Sequence, residues 1–274
     1  MKRSIYLLPL LFFCFKLNAA YVDTVNVYSN SMRKDIKTVV IRPQSYSTAR
    51  KYNVVYLLHG YGGNYSSWVK DAPQLPAKAD EMDAIFICPD GGFSSWYLDS
   101  PVDSTSRYET FVATELVQYT DSHYSTAAGR EHRAVTGLSM GGHGALYLAI
   151  RHRDIFGSAG SVCGGVDTRP FPKNWNMAKV FGDPVTQKEN WDRNVVVNQV
   201  DHLKNGELQL IIDCGTGDFF LAVNRELHQK LLDLKIDHDY TERPGAHNKA
   251  YWGNSIDFQL LFFKKYFDRT TAKI

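Results

Sequence analysis

Five short apolar runs, "NVVYLLHG", "AIFICPD", "HRAVTGLS", "GSAGSVCGG" and "LQLIIDCG", each end at a glycine or another turn signal. Strands buried on both faces read this way, as near-continuous apolar stretches without polar alternation. Helix-like segments lie between or after most of them: "LPAKADEMD", "RYETFVATELVQYTDSHY", "GGHGALYLAIRHRDIF" and "NRELHQKLLDLK", with "WGNSIDFQLLFFKKYF" closing the chain. Strands alternating with amphipathic helices predict a mostly parallel central sheet with helices on both faces, an α/β protein. Two earlier segments, "DTVNVYS" and "IKTVVIRP", alternate apolar with polar residues and predict an antiparallel N-terminal strand pair. In such a sheet ligands bind just past the carboxyl ends of the strands, so the loops there are the places to search for chemistry.

Residues 1–20, "MKRSIYLLPLLFFCFKLNAA", are expected to be a secretory signal peptide, since Lys2 and Arg3 precede an apolar run and Ala19 and Ala20 follow it. That run is shorter than the roughly 18 residues a bilayer span needs, so no membrane span is expected. Residues 21–274 then read as a single domain in an exported, secreted or periplasmic, protein. The whole chain carries a net charge of +2, and losing Lys2, Arg3 and Lys16 takes three positive charges from it, leaving −1. A near-neutral chain offers no electrostatic footprint for nucleic acid. Cys88, Cys163 and Cys214 lie in strand-like runs and are expected as buried free thiols. Neither CxxC nor HExxH occurs, so no metal site is expected.

"VTGLSMGGHGAL" places Ser139 between Gly137 and Gly141, where the run "RAVTG" stops and a helix pattern begins. This is G-x-S-x-G in its required strand-to-helix context, the turn that lifts a serine hydroxyl above a sheet. A serine is a weak nucleophile without a base, and a tetrahedral intermediate needs donors for its oxyanion. "LLHGYGGN", residues 57–64, supplies the Tyr61 N–H, which with the Met140 N–H predicts an oxyanion hole. "LIIDCGTGDFF" offers two acids; Asp213 falls inside the strand, and Asp218 in the loop beyond Gly215 and Gly217 is the preferred one. "ERPGAHNKAYW" supplies His247 ahead of the last helix, completing the order Ser139, Asp218, His247. His59 is its nearest rival and is expected to shape the oxyanion loop instead.

These motifs together resemble the esterase branch of the α/β-hydrolase superfamily, which includes feruloyl esterases, short-chain esterases of the tributyrin type, S-formylglutathione hydrolase and the mycolyltransferases. The resemblance runs from about Val22 to Phe267 and rests on "YLLHGYGGN", "GLSMGGHGAL" with "HRDIFGSAGSVCGG", "DCGTGDFF" and "PGAHNKAYW". It implies the α/β-hydrolase fold, Ser139 as nucleophile with Asp218 and His247, and Tyr61 and Met140 as oxyanion donors. The chain departs from many members in carrying Gly217 where they have an acidic or polar residue. No metal or organic cofactor is needed for acyl transfer through a serine acyl-enzyme. The expected substrate is a small-molecule or carbohydrate-linked ester of acetyl or feruloyl type, met by aromatic residues of 91–101 and 165–193, with Trp96 and Trp175 as candidate contacts. An acyltransferase built on the same residues and a catalytically silent carbohydrate-binding hydrolase fold are the alternatives.

Overall fold

The computed structural model describes residues 20–271, so the expected signal peptide lies, up to Ala19, outside the described residues. Eight strands form one sheet: β1 (Tyr21–Ser29), β2 (Lys34–Arg42), β3 (Asn53–Leu58), β4 (Ala84–Pro89), β5 (Arg133–Gly137), β6 (Ser158–Val162), β7 (Gln209–Gly215) and β8 (Asp239–Arg243). Their spatial order is β1-β2-β4-β3-β5-β6-β7-β8. The pair β1 and β2 is antiparallel, β2 is antiparallel to β4, and every pairing from β4 to β8 is parallel. The fold is that of the α/β-hydrolases.

The parallel strands β4, β5 and β6 are buried at every residue, as their unbroken apolar runs predict. Alternate residues of β3 feed opposite faces of the sheet. Val54, Tyr56 and Leu58 join one core cluster, and Val55 and Leu57 the other. The second cluster is covered by α1 (Leu75–Met82) and the long C-terminal α4 (Lys249–Thr271), through Leu75, Ala79, Ile256, Leu260 and Phe263. The first is covered by α2 (Met140–Arg151), α3 (Leu221–Asp233) and a helical run made of Tyr108–Thr110, the π-helical Phe111–Leu116 and Val117–His123. Strand β8 lies on the sheet's open edge, and its sequence DYTER is mostly half-exposed, which is why it carries no apolar run. It follows His238, where the sequence already allows a strand.

The chain runs from β3 to β4 on one side of β3, then crosses to β5 on the other. Connections therefore diverge between β3 and β5, and a crevice opens over their carboxyl ends. The loops after these two strands are "HGYGGN" and the Gly137–Gly141 turn. Topology alone thus brings the two glycine-rich motifs to one place.

Candidate active site

The turn from β5 to α2 is too tight for side chains at its glycines. A Cβ on Gly137 would lie 2.4 Å from the Gly141 carbonyl, and one on Gly141 would lie 2.2 Å from the Leu58 carbonyl oxygen. Ser139, between them, has φ 56 and ψ −116, a region that L-residues visit only under constraint. The constraint is visible: its N–H donates to Val162 O at 2.9 Å, and its own carbonyl accepts from His143 N and Gly165 N. The strain is spent on aim, since the hydroxyl faces His247.

Ser139 Oγ is 2.9 Å from His247 Nε2, and His247 Nδ1 is 2.7 Å from Asp218 Oδ2. A carboxylate only accepts, so Nδ1 carries the proton, and Nε2 of the neutral ring is left to accept the Ser139 hydroxyl. The second oxygen of Asp218 accepts Phe220 N–H at 2.8 Å, which fixes the carboxylate plane. The loops that carry Asp218 and His247 are tied to each other by Thr216 N–H to Arg243 O at 2.9 Å and Gly217 N–H to Gly245 O at 2.7 Å. Burial opposes protonation of His247, yet hydrogen bonds to Asp218 and Cys163 and the Asp218 charge outweigh it, so the pKa sits above the ordinary histidine value.

The loop after β3 presses against this turn. A Cβ on Gly60 would lie 2.6 Å from Leu138 Cδ1 and 3.4 Å from Ser139 Cβ. His59 holds that loop in shape: its Nε2 accepts Gly91 N–H at 2.8 Å, so its Nδ1 is the donor to Gly60 O at 2.7 Å. Among the described residues, neither the Tyr61 nor the Met140 main-chain N–H has a hydrogen-bond partner, whereas Gly62 N–H and Gly63 N–H do. Two free amides beside one serine are the arrangement that an oxyanion requires.

A cavity of about 330 Å³ opens over Ser139, lined among others by Tyr61, Gly62, Trp175, His247, Lys249 and Trp252. Trp175 reaches it because Trp175 and Asn176 both take positive φ in the segment between β6 and β7, and Asn176 Nδ2 donates to Tyr61 Oη at 3.2 Å. Trp96 does not line the cavity. It is 1% exposed and packs edge-on to His143 and behind Trp175, with ring centroids 5.4 and 6.3 Å away. Burial and the positive φ of Trp96 place its indole in the wall, so it supports Trp175 rather than facing the opening. His143 ties this wall together: its two ring nitrogens face Trp96 O and Asn194 O, and burial pushes its pKa down to about 4.

Sequence reasoning missed Phe219 and Trp252. Phe219 stacks on Trp175 with centroids 5.4 Å apart and lies 4.2 Å from the His247 ring, while staying 48% exposed. Trp252 meets His247 edge-on at 5.1 Å. The signal was adjacency: both stand inside the motifs that carry Asp218 and His247. Asp213 is elsewhere, accepting from Tyr251 Oη at 2.5 Å and Ser255 Oγ at 3.1 Å and paired with Arg243. Cys88, Cys163 and Cys214 are free and buried. No helix among the described residues is long and apolar enough to cross a membrane.

The model of the family described as "Putative esterase" matches residues 29–263. An acetyl esterase of Caldicellulosiruptor saccharolyticus is 27% identical over 252 residues, covering 85% of this chain and 94% of that protein. An esterase of Mycobacterium tuberculosis is 30% identical over 237 residues, 76% of this chain, and the match spans 51% of the relative's own length. A solved ferulic acid esterase superposes with a TM-score of 0.79 at 26% identity, covering 90% of this chain and 98% of that one.

Proposed function

Because the chain belongs to the Putative esterase family of the α/β-hydrolases and is a carboxylic ester hydrolase, we propose that it works through Ser139 as nucleophile, with His247 as general base and Asp218 orienting it. In this reading His247 takes the Ser139 proton as Oγ attacks the ester carbonyl, and the tetrahedral oxyanion settles between the Tyr61 and Met140 amides. The imidazolium then returns its proton to the leaving alcohol. Water enters on the same base and releases the acid from Ser139. Asp218 stays a carboxylate throughout and stabilises the charged ring. The observation that carries this reading is the unbroken line of hydrogen bonds from Ser139 through His247 to Asp218 at 2.9 and 2.7 Å, beside two unpartnered amides.

The substrate is an acetyl or feruloyl ester, small or carbohydrate-linked. A cavity of about 330 Å³ walled by Tyr61, Trp175 and Trp252 admits either acyl group, and an aromatic acid gains ring contacts there. The names of the acetyl esterase and ferulic acid esterase relatives support the same class. Lys2 and Arg3 with the apolar run behind them support export to the periplasm or medium. Ser139→Ala is expected to lower kcat on p-nitrophenyl acetate by about 10⁶-fold with the fold intact. Turnover unchanged in that variant overturns the reading. A panel of methyl ferulate, acetylated xylan and longer acyl esters, run with and without a sugar acceptor, then ranks the acyl groups and separates hydrolysis from acyl transfer.

A further inference from the structure

The mechanism leaves two thiols unused beside its acid. Cys163 follows Val162 at the end of β6, and its N–H continues the ladder to Asp213 O at 2.7 Å. Its φ of 48 breaks the strand direction there. Cys214, on β7, is the next residue after Asp213, the strand partner of Val162. Both sulfurs and a carboxylate oxygen of Asp218 lie within 4.8 Å of one another, and all three residues are buried. Elsewhere in the core a lone thiol such as Cys88 sits among apolar neighbours on its strand; this pair instead meets a carboxylate.

Two thiols and one carboxylate form a donor set for soft or borderline cations. Tetrahedral zinc, with Zn–S of about 2.3 Å and Zn–O of about 2.1 Å, places its ligand atoms about 3.6 to 3.8 Å apart. That spacing fits inside the separation found here. Magnesium and calcium need six or more oxygen ligands and find one carboxylate. We propose that Cys163, Cys214 and Asp218 form an inhibitory binding site for a thiophilic divalent cation of the zinc and cadmium class, entered from the substrate cavity past His247. Binding releases two thiol protons to solvent and forms two metal–thiolate bonds and one metal–carboxylate bond. The carboxylate is thereby drawn from His247 Nδ1, and the ring loses the partner that sets its tautomer. The binding stands on its own geometry, whereas the inhibition rests on the function proposed above.

The test is a cadmium titration of the full chain, kept reduced with a phosphine, reading ultraviolet thiolate-to-metal absorption and bound cadmium per chain without substrate, and then p-nitrophenyl acetate hydrolysis. The wild type is expected to bind one ion with a thiolate band, to lose at least about a hundredfold of its activity in step with that band, and to recover on adding EDTA. Cys214→Ser is expected to keep the metal-free rate and to bind cadmium at least tenfold more weakly. Cys214→Ala gives the same comparison where the serine variant folds poorly. No thiolate band in the wild type, or equal binding by the Cys214 variants, overturns the site. A band without inhibition overturns the inhibitory role. Cadmium taken by the surface pair His228 and His238, whose ring nitrogens lie 2.7 Å apart, gives no thiolate band and counts against the site. Because band and stoichiometry need no turnover, a chain inactive on every ester would refute the enzyme reading and leave the metal site separately decided.

Discussion

Asp213 and Asp218 stand five residues apart at the end of one strand, and both reach groups of the β8 to α4 segment, with different outcomes. Asp213 is 1% exposed and held by Arg243, Tyr251 and Ser255. Burial raises its pKa, against the pull of those partners. Asp218 faces one imidazole, and that imidazole faces a serine. A guanidinium keeps its charge at any working pH, so the first cluster can only clamp β7 to β8 and α4. An imidazole changes charge near neutrality, so the second can move a proton. The difference lies in the partner, not in the acid.

The largest test of that contrast is Asp218→Asn, expected to lower kcat by about 10⁴-fold while the melting temperature changes little. Asp213→Asn is the opposite case. Removing one member of a buried ion pair costs about 3–5 kcal/mol, which for a chain of this size lowers the melting temperature by about 6–20 °C. Its kcat, measured where the variant is folded, is expected to stay within tenfold of wild type. Were the two profiles exchanged, the roles assigned to the two acids would be exchanged with them.

The pH profile separates the two acids again. His247 must be neutral to take the serine proton, and its pKa lies above 6.5 because Asp218 and Cys163 outweigh its burial; Lys249, at the start of α4, is turned to Asp71. kcat/KM is therefore expected to fall about tenfold per pH unit below a midpoint above 6.5. Asp218→Asn should move that midpoint down, and Asp213→Asn should leave it in place. The same raised pKa adds stability that is fully present below the unfolded value and is lost as pH rises through the folded one. The smallest effect concerns the backbone at Ser139. Glycine adopts φ 56 and ψ −116 at lower cost than alanine, so Ser139→Gly should be about 1 kcal/mol more stable than Ser139→Ala by thermal unfolding.

Much of this arrangement was legible in the sequence because it depends on local sterics. Gly137 and Gly141 announce a turn that leaves no room for Cβ, and the distances to Leu58 and Gly141 give the reason. The buried strands announce themselves through unbroken apolar runs. Strand β8 was fainter, since an edge strand with DYTER shows no such run. Trp96 and Trp175 illustrate the limit on side chains. Both are aromatic residues in candidate pocket segments, yet one is sealed behind the other, and composition cannot say which.

Local sequence pattern was enough for the alternation of buried strands and helices, the sharp turn at Ser139 and the short list of residues able to do acyl chemistry, because each follows from contacts between near neighbours in the chain. Folding in three dimensions was needed to bring Asp213 to an arginine and Asp218 to a histidine, to lay Phe219 against the His247 ring, and to turn Cys163 and Cys214 to one carboxylate. Those pairings join residues from separate strands and loops, and they depend on strand order and register, which no local pattern encodes.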